Sequence, residues 1–288
     1  NQDSICVRRA AVPGQGEIVL AVVCDGMGGL KKGELASAAV VNAFGMWFDR
    51  HLLELPLLCG ADLSQVRSQW TDLIVCAHQA MLRYSAAYRV QLGTTVSAFL
   101  ACGGRYLTLT VGDSRIYERR DHLCQLTQDQ SLVAREIAAG RITEAEGRHH
   151  PQRNVLLQCI GAGGQILPVF TEGRVRAGAL YLLCSDGLVH ELTPAELEER
   201  FRPASLTAKA AMTAALQSAV ELCKTRGETD NITAILLRAD ESRYTPAVRP
   251  RMEKLHRLLS RRASAPAVST EIMLLETAQI VHTQETLE

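Results

Sequence analysis

Aspartates stand where apolar segments of this sequence begin or end. Residues 20–24 run into Asp25 and residues 179–185 run into Asp186, and each aspartate is followed at once by glycine. A third apolar segment starts just after Asp230. A carboxylate at the end of a buried strand is held rigidly, and a glycine after it lets the backbone approach a ligand closely. The recurrence favours one binding site at strand ends over separate glycine-rich turns.

The residue types at these positions point to metal chemistry. Asp3 adds a further carboxylate near the start of the chain, and no matching cluster of His or Cys accompanies the aspartates. Oxygen ligands alone suit hard divalent cations such as Mg²⁺ or Mn²⁺. Two such ions that share a carboxylate can bind a phosphate and activate a water for in-line attack. The alternative for any single aspartate is a cap or turn carboxylate.

Composition narrows the class of protein. The chain has 288 residues, is 47% hydrophobic and 22% charged, and has a formal net charge of zero, so nothing points to nucleic acid as a partner. Nine cysteines without a Cys-x-x-Cys pair indicate free thiols in a reducing compartment, and we predict a cytoplasmic protein without a membrane span. Because the first residue is not Met and a motif begins at once, we expect the natural start of the chain to be missing.

Periodicity and breakers predict alternating groups of strands and helices. We predict strands at 17–25 and 231–238, helices at 33–51, 64–88 and 205–225, a helix starting at Thr193, and two hairpins formed by strands 94–102 with 105–118 and 166–176 with 179–186. In this interpretation Asp113 lies in a bulge or bend within the strand 105–118. Residues 131–160 are polar and loosely patterned, and the pair His149 and His150 before a proline indicates a surface turn more than a metal site.

Seven short motifs follow one another along the chain: Asn1-Gln2-Asp3, Asp25-Gly26-Met27-Gly28-Gly29, Gly93-Thr94-Thr95, Gly112-Asp113-Ser114-Arg115, Leu126-Thr127-Gln128-Asp129, Leu183-Cys184-Ser185-Asp186-Gly187 and Asp230-Asn231. In order and spacing they resemble the metal-dependent type 2C serine/threonine protein phosphatases (the PPM family) in their bacterial form. The resemblance implies an α+β fold, a four-layer αββα sandwich of two stacked antiparallel sheets flanked by helices. It covers residues 1–239 as a catalytic domain, with a flap at about 131–160 that contacts the substrate.

The resemblance also implies roles for individual residues. Asp25 matches the carboxylate that bridges two metal ions, and the carbonyl of Gly26 matches a ligand of the second ion. Asp186 and Asp230 match further ligands of the first ion, so that Asp25, Asp186 and Asp230 are the predicted catalytic residues. Asp3 matches an acidic residue that acts directly or through water.

Other matches are weaker. Asp129 corresponds to a ligand of a third ion near the flap, and Asp113 and Asn231 belong to motifs near the metal centre. Two departures from the family pattern concern the metals: Gln2 stands where many relatives have Glu, and His190 stands where an Asp is usual. The latter puts the third ion in doubt more than the first two.

Two further departures concern the phosphate. Met27 occupies the position of a His that some relatives use as a general acid, so water would protonate the leaving group. The phosphate-binding Arg of the family lies upstream of the Asn-x-Asp motif and would precede Asn1, and Arg8 and Arg9 are poor substitutes.

The resemblance therefore predicts a Mn²⁺- or Mg²⁺-dependent phosphatase that hydrolyses phosphoserine and phosphothreonine in proteins. Its partners would be phosphorylated proteins and a cognate serine/threonine kinase that it opposes, and we expect a monomer. The alternative is a catalytically weak phosphatase-like domain that binds phosphoproteins as a regulatory module, an interpretation motivated by Gln2 and His190.

Residues 240–288 lie beyond the resemblance. Their first half is basic and their last part, 267–288, holds four glutamates and no Lys or Arg. This composition is typical of a flexible tail or a regulatory segment, in which Ser264, Thr283 and Thr286 would be candidate phosphorylation sites.

Overall fold

The computed structural model describes residues 1–12, 16–27, 32–52, 54–55, 63–241 and 273–282. The strands are β1 Ser4–Val12, β2 Gly16–Cys24, β3 Val96–Cys102, β4 Arg105–Val111, β5 Arg115–Arg119, β6 Leu123–Gln125, β7 Val169–Arg174, β8 Leu180–Cys184, β9 Thr233–Glu241 and β10 Met273–His282. The helices are α1 Gly33–His51, α2 Ser64–Tyr88, α3 Leu132–Ala138, α4 Glu144–Arg148, α5 Asp186–Glu191, α6 Pro194–Arg200 and α7 Lys209–Thr225.

The strands form two antiparallel sheets of five strands each. The first has the order β1-β2-β3-β4-β7 and the second has the order β10-β9-β8-β5-β6. Because side chains alternate across a strand, each central strand supplies two faces of the core. In β2, for example, Leu20 and Val22 pack toward the helices, whereas Val19, Ala21 and Val23 pack toward the other sheet.

Three buried clusters separate four layers. The first lies between the helices α1 and α2 and the first sheet, where the rings of Phe44 and Trp70 meet edge to face at 5.2 Å. The second lies between the sheets and includes Phe99 and Tyr181. The third lies between the second sheet and α5, α6 and α7. The predicted four-layer αββα sandwich is therefore confirmed.

The helices predicted at 33–51 and 64–88 have the predicted bounds, whereas the helix predicted at 205–225 begins at Lys209. Thr193 caps α6 with a complete capping box, and Pro194 is the first residue of that helix, as its sequence predicts. Among the described helices, none combines the length and the apolar character that crossing a bilayer requires.

The strand predicted at 105–118 is wrong. It is two strands in different sheets: β4 pairs with β3 and β7, and β5 pairs with β6 and β8. The chain changes sheet at Gly112, whose φ of 104° is open to glycine and strained for other residues. Asp113 and Ser114 are buried in this crossover. The bulge predicted at Asp113 is therefore a passage between the two sheets.

The second predicted hairpin, of strands 166–176 and 179–186, is also wrong. Its first strand, β7, closes the edge of the first sheet beside β4, and its second strand, β8, lies inside the second sheet between β5 and β9. The chain again passes from one sheet to the other. Strand β1, which pairs with β2 along its whole length, was not predicted from the sequence.

Part of the predicted tail belongs to a sheet. Strand β10 pairs antiparallel with β9, from Met273 opposite Glu241 to His282 opposite Thr233. The boundary at residue 239 stays a prediction, but a segment beyond it adds an edge strand to the second sheet. Ser264, Thr283 and Thr286 lie outside the described residues.

A buried histidine ties the helix layer to the segment after the flap. His78 of α2 donates from Nε2 to the carbonyl of Gly164 at 2.8 Å, and its Nδ1 accepts the N–H of Gly161 at 3.1 Å. This pattern assigns a neutral ring with its proton on Nε2. Both ring nitrogens are used, and the side chain is only 4% exposed.

Replacing this histidine is expected to destabilise the fold. His78→Ala leaves the buried N–H of Gly161 without its acceptor, which costs about 1–3 kcal/mol, whereas water can replace the donor to the carbonyl of the exposed Gly164. Urea unfolding should show a clear fall in the midpoint relative to His122→Ala, since the side chain of His122 is 90% exposed. Equal midpoints for the two variants would contradict this account.

Candidate metal centre

Asp25 is held in place by the neighbouring strand segment. Its backbone N–H donates to the hydroxyl of Thr95 at 3.0 Å, and its carbonyl accepts the hydroxyl of Thr94 at 2.8 Å and the N–H of Thr95 at 2.9 Å. The motif Gly93-Thr94-Thr95 therefore fixes the backbone of Asp25 on both sides. None of these three bonds uses the carboxylate of Asp25.

Asp186 and Asp230 are brought together at the paired ends of two strands. Ser185 and Thr233 exchange two hydrogen bonds: the N–H of Ser185 donates to the carbonyl of Thr233 at 3.0 Å, and the hydroxyl of Ser185 accepts the N–H of Thr233 at 3.0 Å. The same hydroxyl donates to the carbonyl of Asn231 at 3.4 Å. Asp186 follows Ser185 as the first residue of α5, and Asp230 precedes β9. The register of β8 against β9 thus places both carboxylates at one end of the second sheet.

Hydrogen bonds from Gln2 to Asn231 and Ser37 hold the start of the chain beside these aspartates. The N–H of Gln2 donates to Oδ1 of Asn231 at 2.7 Å, and the carbonyl of Gln2 accepts the hydroxyl of Ser37 from α1 at 2.6 Å. Asn231 therefore acts on the backbone of the first motif. Asp3 is consequently buried beside the other aspartates.

The electrostatics show that the carboxylates have converged. Burial raises the pKa of Asp3 to about 6, and Asp186 also raises it. Burial, followed by Asp3 and Asp186, holds the pKa of Asp25 well above its usual range. Burial, followed by Asp186, does the same to the pKa of Asp113. Withdrawal from water and then Asp186 raise the pKa of Asp230, which is the most exposed of the group. The structure thus brings together residues that the sequence placed in five separate motifs.

These residues fit a divalent cation. Both carboxylate oxygens of Asp3, Oδ1 of Asp186 and Oε1 of Gln2 are buried and have no hydrogen-bond partner among the described residues. Buried anions without partners are costly, and a cation removes that cost. Within the described ranges, no three Asp, Glu, His or Cys side chains form a ligand group by themselves. Backbone carbonyls and water would complete the coordination, as Mg²⁺ and Mn²⁺ commonly accept.

At Gly26 three backbone segments approach one another closely. A Cβ atom there would lie 2.4 Å from the carbonyl oxygen of Gln2 and 2.6 Å from the carbonyl oxygen of Gly33. Only glycine allows the three backbone segments to approach so closely. The use of the Gly26 carbonyl as a metal ligand stays a prediction.

His190 joins two parts of the site through a residue that the sequence analysis missed. Its Nε2 lies 3.3 Å from Oδ2 of Asp186 and its Nδ1 lies 3.3 Å from Oε2 of Glu228. The other oxygen of Glu228 accepts the N–H groups of Thr229 at 2.8 Å and Asp230 at 2.9 Å. His190 and Glu228 thus orient the loop that carries Asp230 against Asp186. Nothing in the sequence links Glu228 to a histidine 38 residues earlier.

Asp129 forms an ion pair with Arg115. Arg115 donates to it from Nε at 2.9 Å and from Nη2 at 2.7 Å, and Gln125 donates at 2.8 Å. The carboxylate is therefore already neutralised by a guanidinium fork. A third ion at Asp129 would have to share it with Arg115, and this ion stays a prediction.

A cavity of about 410 Å³ opens beside these residues. Asp113, Asp129, Asp186 and His190 are among the residues that line it. Other lining residues belong to α3 and α4, which lie within the segment 131–160 predicted as a flap. Arg148 and Arg153 of this segment also line the cavity, although they were not among the predicted site residues.

Comparisons with known proteins agree with this geometry. The sequence model of the family described as Protein phosphatase 2C matches residues 1–233. Protein phosphatase PhpP of Streptococcus pneumoniae is 31% identical over 224 residues, which cover 76% of this chain and 85% of PhpP. Serine/threonine protein phosphatase PstP of Mycobacterium tuberculosis is 32% identical over 221 residues, which cover 75% of this chain and 40% of PstP.

Solved structures show the same likeness. The serine/threonine phosphatase Stp1 of Staphylococcus aureus aligns with a TM-score of 0.68 and 26% identity, covering 82% of this chain and 88% of Stp1. The catalytic domain of PstP in complex with two manganese ions aligns with a TM-score of 0.62 and 28% identity, covering 81% of this chain and 95% of that one.

These likenesses confirm the family and the fold that the seven motifs predict. The relatives and structural neighbours are named as serine/threonine protein phosphatases, which also confirms the predicted class of enzyme. Because the family's sequence model extends over residues 1–233 of 288, the chain belongs to the protein phosphatase 2C family.

Proposed function

We propose that the protein hydrolyses phosphoserine and phosphothreonine in proteins with two Mn²⁺ or Mg²⁺ ions and thereby opposes a serine/threonine kinase. The observation that carries the proposal is the convergence of Asp3, Asp25 and Asp186, in which both carboxylate oxygens of Asp3 and Oδ1 of Asp186 are buried without a partner among the described residues. The likeness to a structure that contains two manganese ions supports the choice of metal.

The side chains have separate tasks in this proposal. When bound, the cations neutralise phosphate oxygens and lower the pKa of a water that attacks the phosphorus. Asp25, Asp186 and Asp230 would hold the two ions together with the carbonyl of Gly26, and Asp3 would add negative charge beside them. His190 orients Asp186. The thioether of Met27 has no proton to donate, so a water molecule protonates the leaving Ser or Thr oxygen, which becomes the hydroxyl of the product.

The proposal also includes the substrates, the partner kinase, the location and the oligomeric state of the enzyme. Its substrates are phosphorylated proteins, its counterpart is a cognate kinase, and it acts as a cytoplasmic monomer. A third, weaker ion at Asp129 and a regulatory role for residues 240–288 belong to the same proposal.

Metal-dependent turnover provides the test. We expect hydrolysis of p-nitrophenyl phosphate and of a phosphothreonine peptide with Mn²⁺ but not with EDTA. Asp186→Asn should lower the activity by more than about a hundredfold, because even changes in the residues that support a ligand cost 10–100-fold. Asp121→Asn, in the exposed turn before β6, is the matched control.

Two outcomes would change the proposal. Activity that survives in Asp186→Asn at the level of Asp121→Asn would contradict the metal site. A wild-type protein that binds Mn²⁺ and phosphopeptide without turnover would favour the phosphoprotein-binding module.

A further inference from the structure

The lining of the cavity beside the metal centre comes from two parts of the chain. Asp113, Asp129 and Asp186 belong to the site, where Arg115 pairs with Asp129. The flap supplies Arg148 and Arg153 together with a single carboxylate, Glu144. Its volume of about 410 Å³ is within the usual range for a site that holds a small ligand. A phosphorylated side chain at the metal centre would leave room in the cavity for a second group beside it.

The two arginines have donors to spare. Arg148 donates from Nη1 to the carbonyl of Leu192 at 3.5 Å, and Arg153 donates from Nη1 to the carbonyl of Arg148 at 3.3 Å. A guanidinium carries five N–H groups, so most of them have no acceptor in these contacts. Among the described residues neither guanidinium forms an ion pair, whereas Arg115, Arg141 and Arg226 each pair with a carboxylate.

Local contacts within the flap fix the backbone that carries Arg148 and Arg153. Thr143 and Glu146 form a complete capping box at the start of α4, and Gly147 packs so closely on α3 that a Cβ atom would lie 2.8 Å from the side chain of Ile137. The bond from Arg153 to the carbonyl of Arg148 keeps the two guanidinium-bearing segments together. Both arginines are half-buried at the wall of the cavity.

We propose that Arg148 and Arg153 form an anion subsite that selects phosphorylated sites with a second negative group next to the phosphoresidue. Guanidinium groups bind carboxylates and phosphates through paired hydrogen bonds. The second group is an Asp or Glu side chain or a second phosphoryl group, since the recognising chemistry is the same. This inference rests on the proposed phosphatase activity and names the class of substrate that the same cavity takes.

Matched phosphothreonine peptides test the subsite on the full chain with Mn²⁺. One peptide has only neutral neighbours, a second series carries one Glu at successive positions on either side, and a third carries a phosphoserine at those positions. We expect kcat/KM for the best acidic peptide to exceed that for the neutral peptide by roughly tenfold, mainly through KM. A preference for phosphoserine alone would identify a second phosphate as the ligand, and a preference for both would identify a general anion.

Variants locate the preference in the cavity. Arg148→Ala with Arg153→Ala should reduce the ratio of acidic to neutral kcat/KM to about one, and the two Lys substitutions should restore part of it. Replacing both arginines by Glu should invert the ratio in favour of a peptide that carries Lys. Arg83→Ala, an exposed arginine on α2 away from the cavity, should keep the wild-type ratio. The ratio within each variant does not depend on a general loss of activity.

The outcomes separate this inference from the proposed function. A wild-type enzyme that hydrolyses all peptides equally would refute the subsite and leave the phosphatase activity intact, as would a preference that persists in the double Ala variant. If no peptide is hydrolysed, the proposed function fails, and fluorescence anisotropy with the same peptides still tests the subsite through the ratio of their affinities.

Discussion

Gly26→Ala is expected to abolish most of the Mn²⁺-dependent phosphatase activity and to destabilise the protein. The added Cβ would lie 2.4 Å from the carbonyl oxygen of Gln2 and 2.6 Å from the carbonyl carbon and oxygen of Gly33. All three are backbone atoms, which cannot rotate away as a side chain can. Relief requires a shift of the backbone that carries Asp25, and overpacking of this kind costs about 1–3 kcal/mol.

The effect on activity should exceed the effect on stability. A displacement of about 1 Å at a catalytic centre lowers rates by about a hundredfold. Turnover of p-nitrophenyl phosphate with Mn²⁺ and urea unfolding of the same preparation measure the two effects. Gly164→Ala is the control, because its Cβ would meet nothing within 4 Å. Wild-type activity in Gly26→Ala would show that the close approach of the three segments is not needed.

The second large effect concerns stability without metal, which we expect to fall as pH rises from about 4 to above 6. Asp3 has a pKa raised from 3.8 to about 6, chiefly by burial. In that interval the unfolded chain has already lost the proton that the folded protein still holds, so the folded state becomes relatively less stable. Above the raised pKa the full penalty is present, about 3 kcal/mol for Asp3.

Divalent cations should reverse this trend, because they bind the ionised carboxylates. The gain in melting temperature between EDTA and Mn²⁺ should therefore be larger at about pH 8 than at about pH 5. Asp25→Asn removes one charge from the cluster, so it should stabilise the protein in EDTA at the higher pH and lose the gain from Mn²⁺.

An exposed aspartate provides the comparison for this experiment. Asp72→Asn on the surface of α2 should change neither quantity. If Asp25→Asn melts below the wild type in EDTA at the higher pH, mutual repulsion is not a leading cost of the metal-free fold.

The sequence predicts the ends of strands better than their partners. Asp25 and Asp186 could be placed because an apolar segment and the residue that ends it are local features. The two crossings from one sheet to the other, at Gly112 and between β7 and β8, could not be predicted, because the flanking strands are apolar whichever sheet they join. Pairing is decided by contacts such as that of Arg115 with Cys184, which no local pattern contains.

Within the site, the residues that support the ligands were harder to predict than the ligands. Asp129 was placed by its motif, but its guanidinium partner Arg115 depends on how β5 turns beside the following loop. Glu228 became significant only through its contact with His190. Arg148 and Arg153 line one cavity because of how the flap folds, and no local pattern in the sequence shows this.

One hydrogen bond has a consequence for the synthesis of the protein. The N–H of Gln2 is held by Asn231, 229 residues later in the chain. A ribosome must therefore synthesise almost the whole domain before this hydrogen bond can form. Contacts between residues that are far apart in the sequence slow folding. We therefore expect a nascent chain to lack an assembled metal centre, and hence activity, until Asn231 has left the ribosome.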